Sequence, residues 1–303
     1  MCDRIAILYS KFKKMVRHSV LALSQFSKTI FAPMFVGLWL LASPMNAADG
    51  AWQMDSHGQL RLISAQDDIT GQISLGLHVQ LKPGWKTYWR YPGEAGAPPL
   101  FDWSGSENLA DAEILWPAPK RFSAFGYDSF GYEKEVIWPI KLTAKDNAVP
   151  VLARLKVDYL ICKNICIPKT ASLVLDATAD DGAGAENRTL IRHFAGLVPK
   201  SGAAAPFRFS HIALSGVPGK QLLVVKAVST LTFDQPDLMI ESKSNFGFGR
   251  PVLTLSDDRK EVVLSVPVFD LLDKDRGLAG EQLRLTLVQG SLASEQDVAI
   301  VTR

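Results

Sequence analysis

Cysteine is the scarcest residue in this sequence, at 3 of 303 residues, and histidine follows with 5. A structural zinc site takes about four Cys or His ligands. The sequence has one closely spaced cysteine pair, Cys162 and Cys166, with no histidine near it. A zinc site is therefore excluded, and we expect no cofactor. We interpret His78 and His193, which fall in predicted elements, as solvated side chains rather than ligands.

An excess of charge of one sign is also lacking, since the formal net charge is only +2. The first 48 residues hold six of the 33 Lys and Arg and one of the 31 Asp and Glu. The rest of the chain therefore carries 27 basic and 30 acidic residues, a net charge of −3. This part of the chain, residues 49–303 (the body), therefore has no electrostatic basis for binding nucleic acid.

Long apolar runs are missing as well. The most apolar stretch, FAPMFVGLWLLA at residues 31–42, has 12 residues, whereas a membrane helix needs about 20. It follows a basic segment and precedes SPMNAADG, an order typical of an export signal. We therefore predict a signal peptide over residues 1–48 and an exported remainder, residues 49–303, without a transmembrane span. An uncleaved N-terminal anchor is the alternative.

Alternation of apolar and polar residues dominates the body. In GQISLGLHVQL, apolar side chains face one way from Ile73 to Leu81, and Ser74, His78 and Gln80 face the other way. EVIWPIKL, VLARLKVDY and TASLVL repeat this period of two, and Gly and Pro clusters separate the runs. Short alternating strands between turn signals predict an antiparallel β-sandwich. The tryptophans of these segments are expected to pack in its core.

A change in composition divides the body into two. The stretch ENRTLIRHFAGLV predicts one short helix, with Leu190, Ile191, Phe194 and Leu197 facing inward. PKSGAAAP reads as a linker, and alternating strands resume after it. We therefore predict an all-β chain of two sandwich domains in tandem, at residues 49–203 and 204–303, with the helix near the linker.

The stretch VDYLICKNICIPKTASLVL holds the cysteine pair between two predicted strands. In a fully extended chain, four residues would separate Cys162 from Cys166 by about 13 Å, whereas the Cα atoms of a disulfide lie within about 7 Å. The chain must therefore turn between them if they are bonded, with Asn164 as the natural pivot. Pro168 is expected to end the strand pairing just beyond the pair.

The short spacing favours a pair that opens and closes. A loop of about five residues stabilises a fold by only about 2 kcal/mol in the chain-entropy model, and structural bridges usually join distant segments. Two alternatives stay open. The disulfide could be permanent in a binding module without catalytic activity, or the two thiolates could hold Cu(I), which prefers sulfur.

Three stretches together resemble the periplasmic N-terminal domain of the DsbD/ScsB family of thiol:disulfide interchange proteins. They are the cysteine stretch, LKPGWKTYWRYPGEAGAPPLFDWSGSEN and WPAPKRFSAFGYDSFGYEKEVIWPIKL. The resemblance covers about residues 50–178. It implies an immunoglobulin-like sandwich, and the tandem arrangement would extend it to the second half of the chain.

The resemblance also implies roles for individual residues. Cys166 would form the mixed disulfide with a partner, and Cys162 would resolve it. Phe130 would shield the pair from a cap loop, with Asp128 as its acidic neighbour. Two further residues match aromatic positions near the site: Tyr88 and Tyr159.

One departure from the family concerns the electron donor. The full-length proteins continue into a membrane domain and a thioredoxin-like domain, neither of which this sequence contains. We therefore expect a separate membrane-embedded or thioredoxin-like donor, and oxidised periplasmic proteins as acceptors. Cytochrome assembly or copper tolerance are the processes such a module would serve.

Overall fold

Strands dominate the computed structural model, as the alternation predicted. It describes residues 50–66, 73–124, 127–177, 184–270, 272–273 and 276–301. Within these ranges there is one α-helix, and no helix is long and apolar enough to cross a membrane. The predicted export signal lies outside the described residues. The all-β class predicted from the sequence is therefore confirmed.

The first sandwich is built from two antiparallel sheets. Its strands are β1 (Gln53–Met54), β2 (Gly58–Gln66), β3 (Ile73–Leu81), β4 (Lys86–Gly93), β5 (Leu100–Asp102), β6 (Leu109–Ile114), β7 (Lys120–Ala124), β8 (Tyr127–Glu133), β9 (Glu135–Ala144), β10 (Leu152–Cys162) and β11 (Cys166–Asp176). Sheet A has the order β1-β2-β3-β9-β6, and sheet B has the order β11-β10-β4-β8-β7, with β5 paired to β10.

Helix α1 (Gly184–Gly196) and a 3-10 turn (Gly202–Ala204) lead to the second sandwich. Its strands are β12 (Arg208–Ser215), β13 (Gln221–Val228), β14 (Asp237–Ser242), β15 (Phe246–Phe248), β16 (Val252–Leu255), β17 (Glu261–Asp270), β18 (Gln282–Gln289) and β19 (Leu292–Ala299). Sheet C has the order β14-β18-β19, and sheet D has the order β12-β13-β17-β15, with β16 on β17. The domain boundary near residue 203 stays a prediction.

The inward faces are those that the alternation predicted. Leu75, Leu77 and Val79 of β3 lie in the first core, where Trp89 and Trp138 are also buried. Burying one such aliphatic side chain stabilises a fold by about 1.5–3 kcal/mol. Since both sheets contribute their alternate residues, this core fixes the register of β10 and β11, which carry the cysteines.

The polar face of β3 is not solvated, which corrects the prediction for His78. Its side chain is buried at 2% exposure, and its Nε2 lies 2.7 Å from Glu135 Oε1. The ring of Trp52 lies against it at 4.9 Å. Helix α1 packs on the same face of sheet A, with Ile191 against Ile137, the register partner of His78. Packing of Trp52 and helix α1 therefore buries His78, although the alternation of polar and apolar residues predicted that it faces solvent.

The two sandwiches share buried contacts. Met239 of β14 belongs to the core of the first sandwich. Arg121 donates from Nη2 to Asp237 Oδ1 at 2.8 Å, and Arg90 donates to Glu241 Oε1 at 2.6 Å and to Glu295. Charged groups that are withdrawn from water need partners of this kind. Sheet C is therefore held against the β4 and β7 region of sheet B.

Candidate functional site: the disulfide hairpin

The cysteines close a hairpin at the end of sheet B. Strands β10 and β11 pair without interruption from Leu152 and Asp176 to Cys162 and Cys166. Cys162 and Cys166 form a disulfide with an S–S distance of 2.08 Å and a Cα–Cα distance of 4.1 Å. Lys163 N donates to Ile165 O at 3.0 Å in the turn. The predicted strand, tight turn and return strand are all present.

Pro168 does not end the pairing, which corrects that prediction. It pairs with Leu160 inside the ladder. The Ser172 N–H on the same strand points away from β10, because it donates to Gln53 Oε1 at 3.1 Å. Main-chain groups alternate along an antiparallel strand, so residue 168, four positions earlier, also faces away from β10. The missing N–H of Pro168 therefore costs the β10–β11 ladder no hydrogen bond.

The two cysteine residues differ in their exposure to solvent. The Cys162 residue is 8% exposed, whereas Cys166 is exposed. Ile165, in the turn between them, is 64% exposed. A thiolate from another protein can therefore reach the Cys166 side of the bond, with Cys162 as the sulfur that leaves.

Tyr88 of β4 is the predicted aromatic residue that touches the disulfide. Its hydroxyl donates to Cys162 Sγ at 3.1 Å and lies 3.4 Å from Cys166 Sγ. Burial raises the pKa of this hydroxyl, so it stays a proton donor at neutral pH. A Cβ added to Gly96 would come within 2.3 Å of the Tyr88 ring, and Gly96 has a φ of 142°. The segment after β4 therefore lies directly on the tyrosine, and a glycine is required there.

Two lysines neighbour the cysteines, Lys163 along the chain and Lys86 across the pairing of β10 with β4. Lys86 of β4 is the register partner of Cys162, and its Nζ lies 4.2 Å from the Phe122 ring. Lys163 follows Cys162 and donates from Nζ to the Pro83 carbonyl at 3.5 Å. Cationic neighbours favour a thiolate over a thiol. The signal for Lys86 is its position two residues before Tyr88, which places both side chains on one face of a strand.

Tyr159 lies on the other face of the sheet, so the prediction that places it near the disulfide is wrong. It is three residues from Cys162, an odd number, and it packs against the first core. Its register partner is Lys169, which pairs with Asp55 at 2.8 Å. Burial, together with the Asp55 charge, raises the pKa of Tyr159 to about 12.

Phe130 also faces away from the disulfide, and the prediction that it shields the pair from a loop is wrong. It lies in strand β8, is 6% exposed and belongs to the first core. The next residue, Gly131, is the register partner of Tyr88. Neighbouring residues of a strand point to opposite faces. Phe130 instead stacks with Tyr91 at 6.5 Å and lies under the Arg121 guanidinium at 4.8 Å.

Asp128 lies at the junction of the two sandwiches. Its carboxylate accepts hydrogen bonds from Arg121 Nη1 at 2.9 Å and from Arg250 Nη2 at 2.7 Å. Burial alone would raise its pKa, but the hydrogen bonds from Arg250 and Arg121 outweigh burial and lower it. Asp128 therefore stays ionised as a structural partner of two arginines, which differs from the acidic neighbour of the cysteines that the resemblance implied.

The hairpin lies in a segment of the chain that is similar to known proteins. Residues 59–178 match the family model of the N-terminal domain of the thiol:disulfide interchange protein DsbD, and residues 197–303 match a domain of unknown function (DUF8393). The crystal structure of the N-terminal periplasmic domain of ScsB from Proteus mirabilis is similar with a TM-score of 0.69. It shares 26% sequence identity over 84% of this chain and 99% of that one. No match was found among the curated proteins. The chain thus carries, at residues 59–178, an N-terminal domain of the DsbD/ScsB family.

Proposed function

We propose that this protein is a thiol:disulfide interchange module that relays reducing equivalents through Cys162 and Cys166 to oxidised periplasmic proteins. The observation that carries the proposal is the unequal exposure of the two cysteine residues, with Cys166 exposed and Cys162 at 8%. A permanent bridge needs no accessible sulfur. An exchange reaction needs one sulfur that partners reach and a second that is released.

The relay has two halves. A donor dithiol attacks Cys166 Sγ, the Cys162–Cys166 bond breaks, and Cys162 leaves as a thiolate. The second donor thiol then displaces Cys166, so the donor becomes a disulfide and the pair gains two electrons. In the other half, the Cys166 thiolate attacks an acceptor disulfide and Cys162 resolves the mixed disulfide.

One of the chain's own residues assists the release of Cys162. The Tyr88 hydroxyl, 3.1 Å from Cys162 Sγ, is in place to donate a hydrogen bond to the departing thiolate. We assign Tyr88 a positioning and stabilising role, and the exchange itself to the cysteines.

The location and partners follow from the same proposal. ScsB supplies an N-terminal periplasmic domain as the related structure, and we place this protein in the periplasm behind the predicted signal of residues 1–48. Its donor would be a membrane-embedded or thioredoxin-like dithiol protein. Its acceptors would be oxidised periplasmic proteins.

The reduction potential of the pair tests the proposal. The purified protein is equilibrated with glutathione and dithiothreitol redox buffers, and the reduced fraction is read by thiol labelling and mass spectrometry. We expect a potential above about −300 mV, whereas structural bridges lie below it. A value far below that limit would make the disulfide a permanent bridge in a binding module.

A trapping experiment identifies partners and separates the cysteine roles. Cys162→Ala leaves Cys166 without its resolving partner, so mixed disulfides with acceptors should accumulate. Cys166→Ala is the matched control, and it should trap far less because Cys162 is buried. Titration of the reduced protein with Cu(I) against a chelator tests the copper alternative.

A further inference from the structure

Strand β4 loses its regular pairing directly after Tyr88. Its register with β8 places Tyr88 opposite Gly131 and then continues at Gly93, which lies opposite Ser129. Five positions along β4, from 88 to 93, thus correspond to two positions along β8, from 131 to 129. On its other side, β4 pairs with β10 at residues 86–87, before the tyrosine. An irregularity of this kind re-aims the strand, so the position of β4 beyond Tyr88 depends on contacts outside the ladder.

The second sandwich holds this part of β4 through Arg90. Arg90 Nε donates to Glu241 Oε2 at 3.1 Å, and Nη2 donates to Glu241 Oε1 at 2.6 Å and to Glu295. The three side chains are only 17–18% exposed. Two parallel bonds between a guanidinium and a carboxylate fix orientation as well as distance. Arg90 therefore ties the main chain of β4 to sheet C.

The acceptors of Arg90 lie on two strands of sheet C. Glu241 is on β14 and Glu295 is on β19, and β18 pairs with both strands. Thr286 of β18 is the register partner of Glu295 and donates from Oγ1 to Glu295 Oε2 at 3.2 Å. Hydrogen bonds between the three strands set the spacing of the two carboxylates. A movement of sheet C against sheet B would therefore displace Arg90.

Three consecutive residues of β4 contact three different parts of the molecule. Tyr88 bonds the disulfide, Trp89 is buried in the first core, and the Arg90 guanidinium lies 4.2 Å from the Trp89 ring. Arg90 follows Tyr88 by two residues, about 6.6 Å along a strand. The Tyr88 hydroxyl lies 3.1 Å from Cys162 Sγ and 3.4 Å from Cys166 Sγ. Because hydrogen-bond lengths span only about 0.5 Å, a small displacement of β4 weakens this contact.

We propose that the second sandwich positions Tyr88 on the disulfide through Arg90, and so contributes to the reduction potential of the pair. This inference rests on the proposed function. The donor dithiol gives two electrons to the pair and becomes a disulfide, while the Cys162–Cys166 bond breaks. One donor proton passes to Cys166 and the other to solvent, and Cys162 is released as a thiolate that accepts the Tyr88 hydrogen bond. Arg90 acts through the strand rather than on the sulfurs, so it is a positioning residue.

The equilibrium constant for reduction of the pair tests this role. Arg90→Met keeps an apolar side chain and removes the guanidinium. The variant and the wild type are equilibrated with redox buffers at a pH where wild-type Cys162 is a thiolate, and thiol labelling gives the reduced fraction. We expect the constant to fall about three- to tenfold, or about 15–30 mV, because the Tyr88 hydroxyl is no longer held on the thiolate. An unchanged constant in a variant that still unfolds cooperatively in urea would overturn the proposal.

A second variant approaches the same contact from the second sandwich. Glu241→Gln keeps the shape of the side chain and removes its charge, so it disturbs the fold less than the loss of Arg90. We expect the equilibrium constant for reduction to fall about twofold or more, since a neutral acceptor bonds a guanidinium more weakly than a carboxylate does. A wild-type constant in both Glu241→Gln and Arg90→Met would overturn the positioning.

A double-mutant cycle tests the route through Tyr88. In a Tyr88→Phe protein there is no hydroxyl to hold, so adding Arg90→Met should leave the equilibrium constant for reduction unchanged. Shifts that add in the double variant would contradict this route, because independent effects are additive.

Arg121→Met is the matched control within the same interface. Arg121 lies on β7 and donates to Asp237 of β14 from Nε at 2.9 Å and from Nη2 at 2.8 Å, with its side chain 9% exposed. Its loss should loosen the contact between the sandwiches and leave the equilibrium constant for reduction at the wild-type value. A fall as large as that in Arg90→Met would mean that any loosening of the interface has this effect, and would overturn the assignment to Arg90.

Failure of the positioning is distinguishable from failure of the proposed function. If the positioning alone is wrong, the wild-type potential lies in the range of exchangeable disulfides and Arg90→Met shares it. If the function is wrong, the wild-type potential itself lies in the range of structural bridges.

Discussion

Replacing Tyr88 with Phe removes one hydrogen bond and little else from the disulfide hairpin. The hydroxyl lies 3.1 Å from Cys162 Sγ, and both residues are 8% exposed. A hydrogen bond to a charged acceptor contributes about 1.5–3 kcal/mol, against about 0.5–1.5 kcal/mol for a neutral one. The tyrosine therefore stabilises the reduced pair over the disulfide by about 1–1.5 kcal/mol once Cys162 is a thiolate.

This difference fixes the size and sign of the expected effect. For a two-electron couple, about 1.4 kcal/mol corresponds to about 30 mV, and to about one pKa unit. Because the lost bond favours the reduced form, the reduction potential of Tyr88→Phe should be about 30 mV more negative. The pKa of the Cys162 thiol should rise by about one unit.

Redox buffers at a pH where wild-type Cys162 is a thiolate provide the assay. Tyr159→Phe is the matched control, because Tyr159 has the same chemistry and faces the core instead of the sulfurs. It should leave the potential unchanged. A shift of under about 10 mV in Tyr88→Phe, or an equal shift in both variants, would refute the role of the Tyr88 hydroxyl.

Three further predictions concern the surroundings of the site and the fold. Gly96→Ala places a methyl group 2.3 Å from the Tyr88 ring, so it should displace the segment after β4 from the tyrosine. Dithiothreitol should then reduce the disulfide faster, and an unchanged rate would contradict the prediction that this segment covers the hairpin site. Arg121→Met leaves Asp237 without its bidentate partner and should lower the free energy of unfolding in urea by about 1.5–3 kcal/mol, whereas Lys120→Met, from an exposed pair, should cost less than about 1 kcal/mol. Burial lowers the pKa of His78, so the unfolded chain binds that proton more readily, and the free energy of unfolding should fall as the pH drops below about 6.5. The free energy of unfolding of His78→Gln should lack this part of the pH dependence. A pH profile of unfolding identical to that of the wild type would contradict the role of His78.

The sequence was sufficient for features that depend on neighbours along the chain. Period-two alternation identified the buried face of β3, and the spacing of Cys162 and Cys166 predicted the turn between them. The helix that buries Ile191 was also predicted, since its apolar residues follow a helical period. Each of these rests on a local pattern that one segment contains in full.

Features that depend on register or on distant segments were missed. Tyr88 and Tyr159 look alike in the sequence, but pairing of β4 with β10 puts only Tyr88 on the face of the sulfurs. The prediction for Phe130 is wrong for the same reason, because the pairing of β8 with β4 puts this side chain on the face away from the sulfurs. His78 looked solvated because helix α1, which covers that face, lies more than a hundred residues away along the chain.

Strand β4 contacts both the disulfide and the second sandwich, and this affects where the chain can be cut into separate domains. Tyr88 touches a cysteine sulfur, and two residues later Arg90 holds carboxylates of sheet C, while Met239 fills part of the first core. Cutting the chain after the first sandwich would expose Arg90 and the apolar surface that Met239 covers. The second sandwich therefore supports the strand that carries Tyr88, and fusions or domain swaps that remove it should disturb the disulfide hairpin.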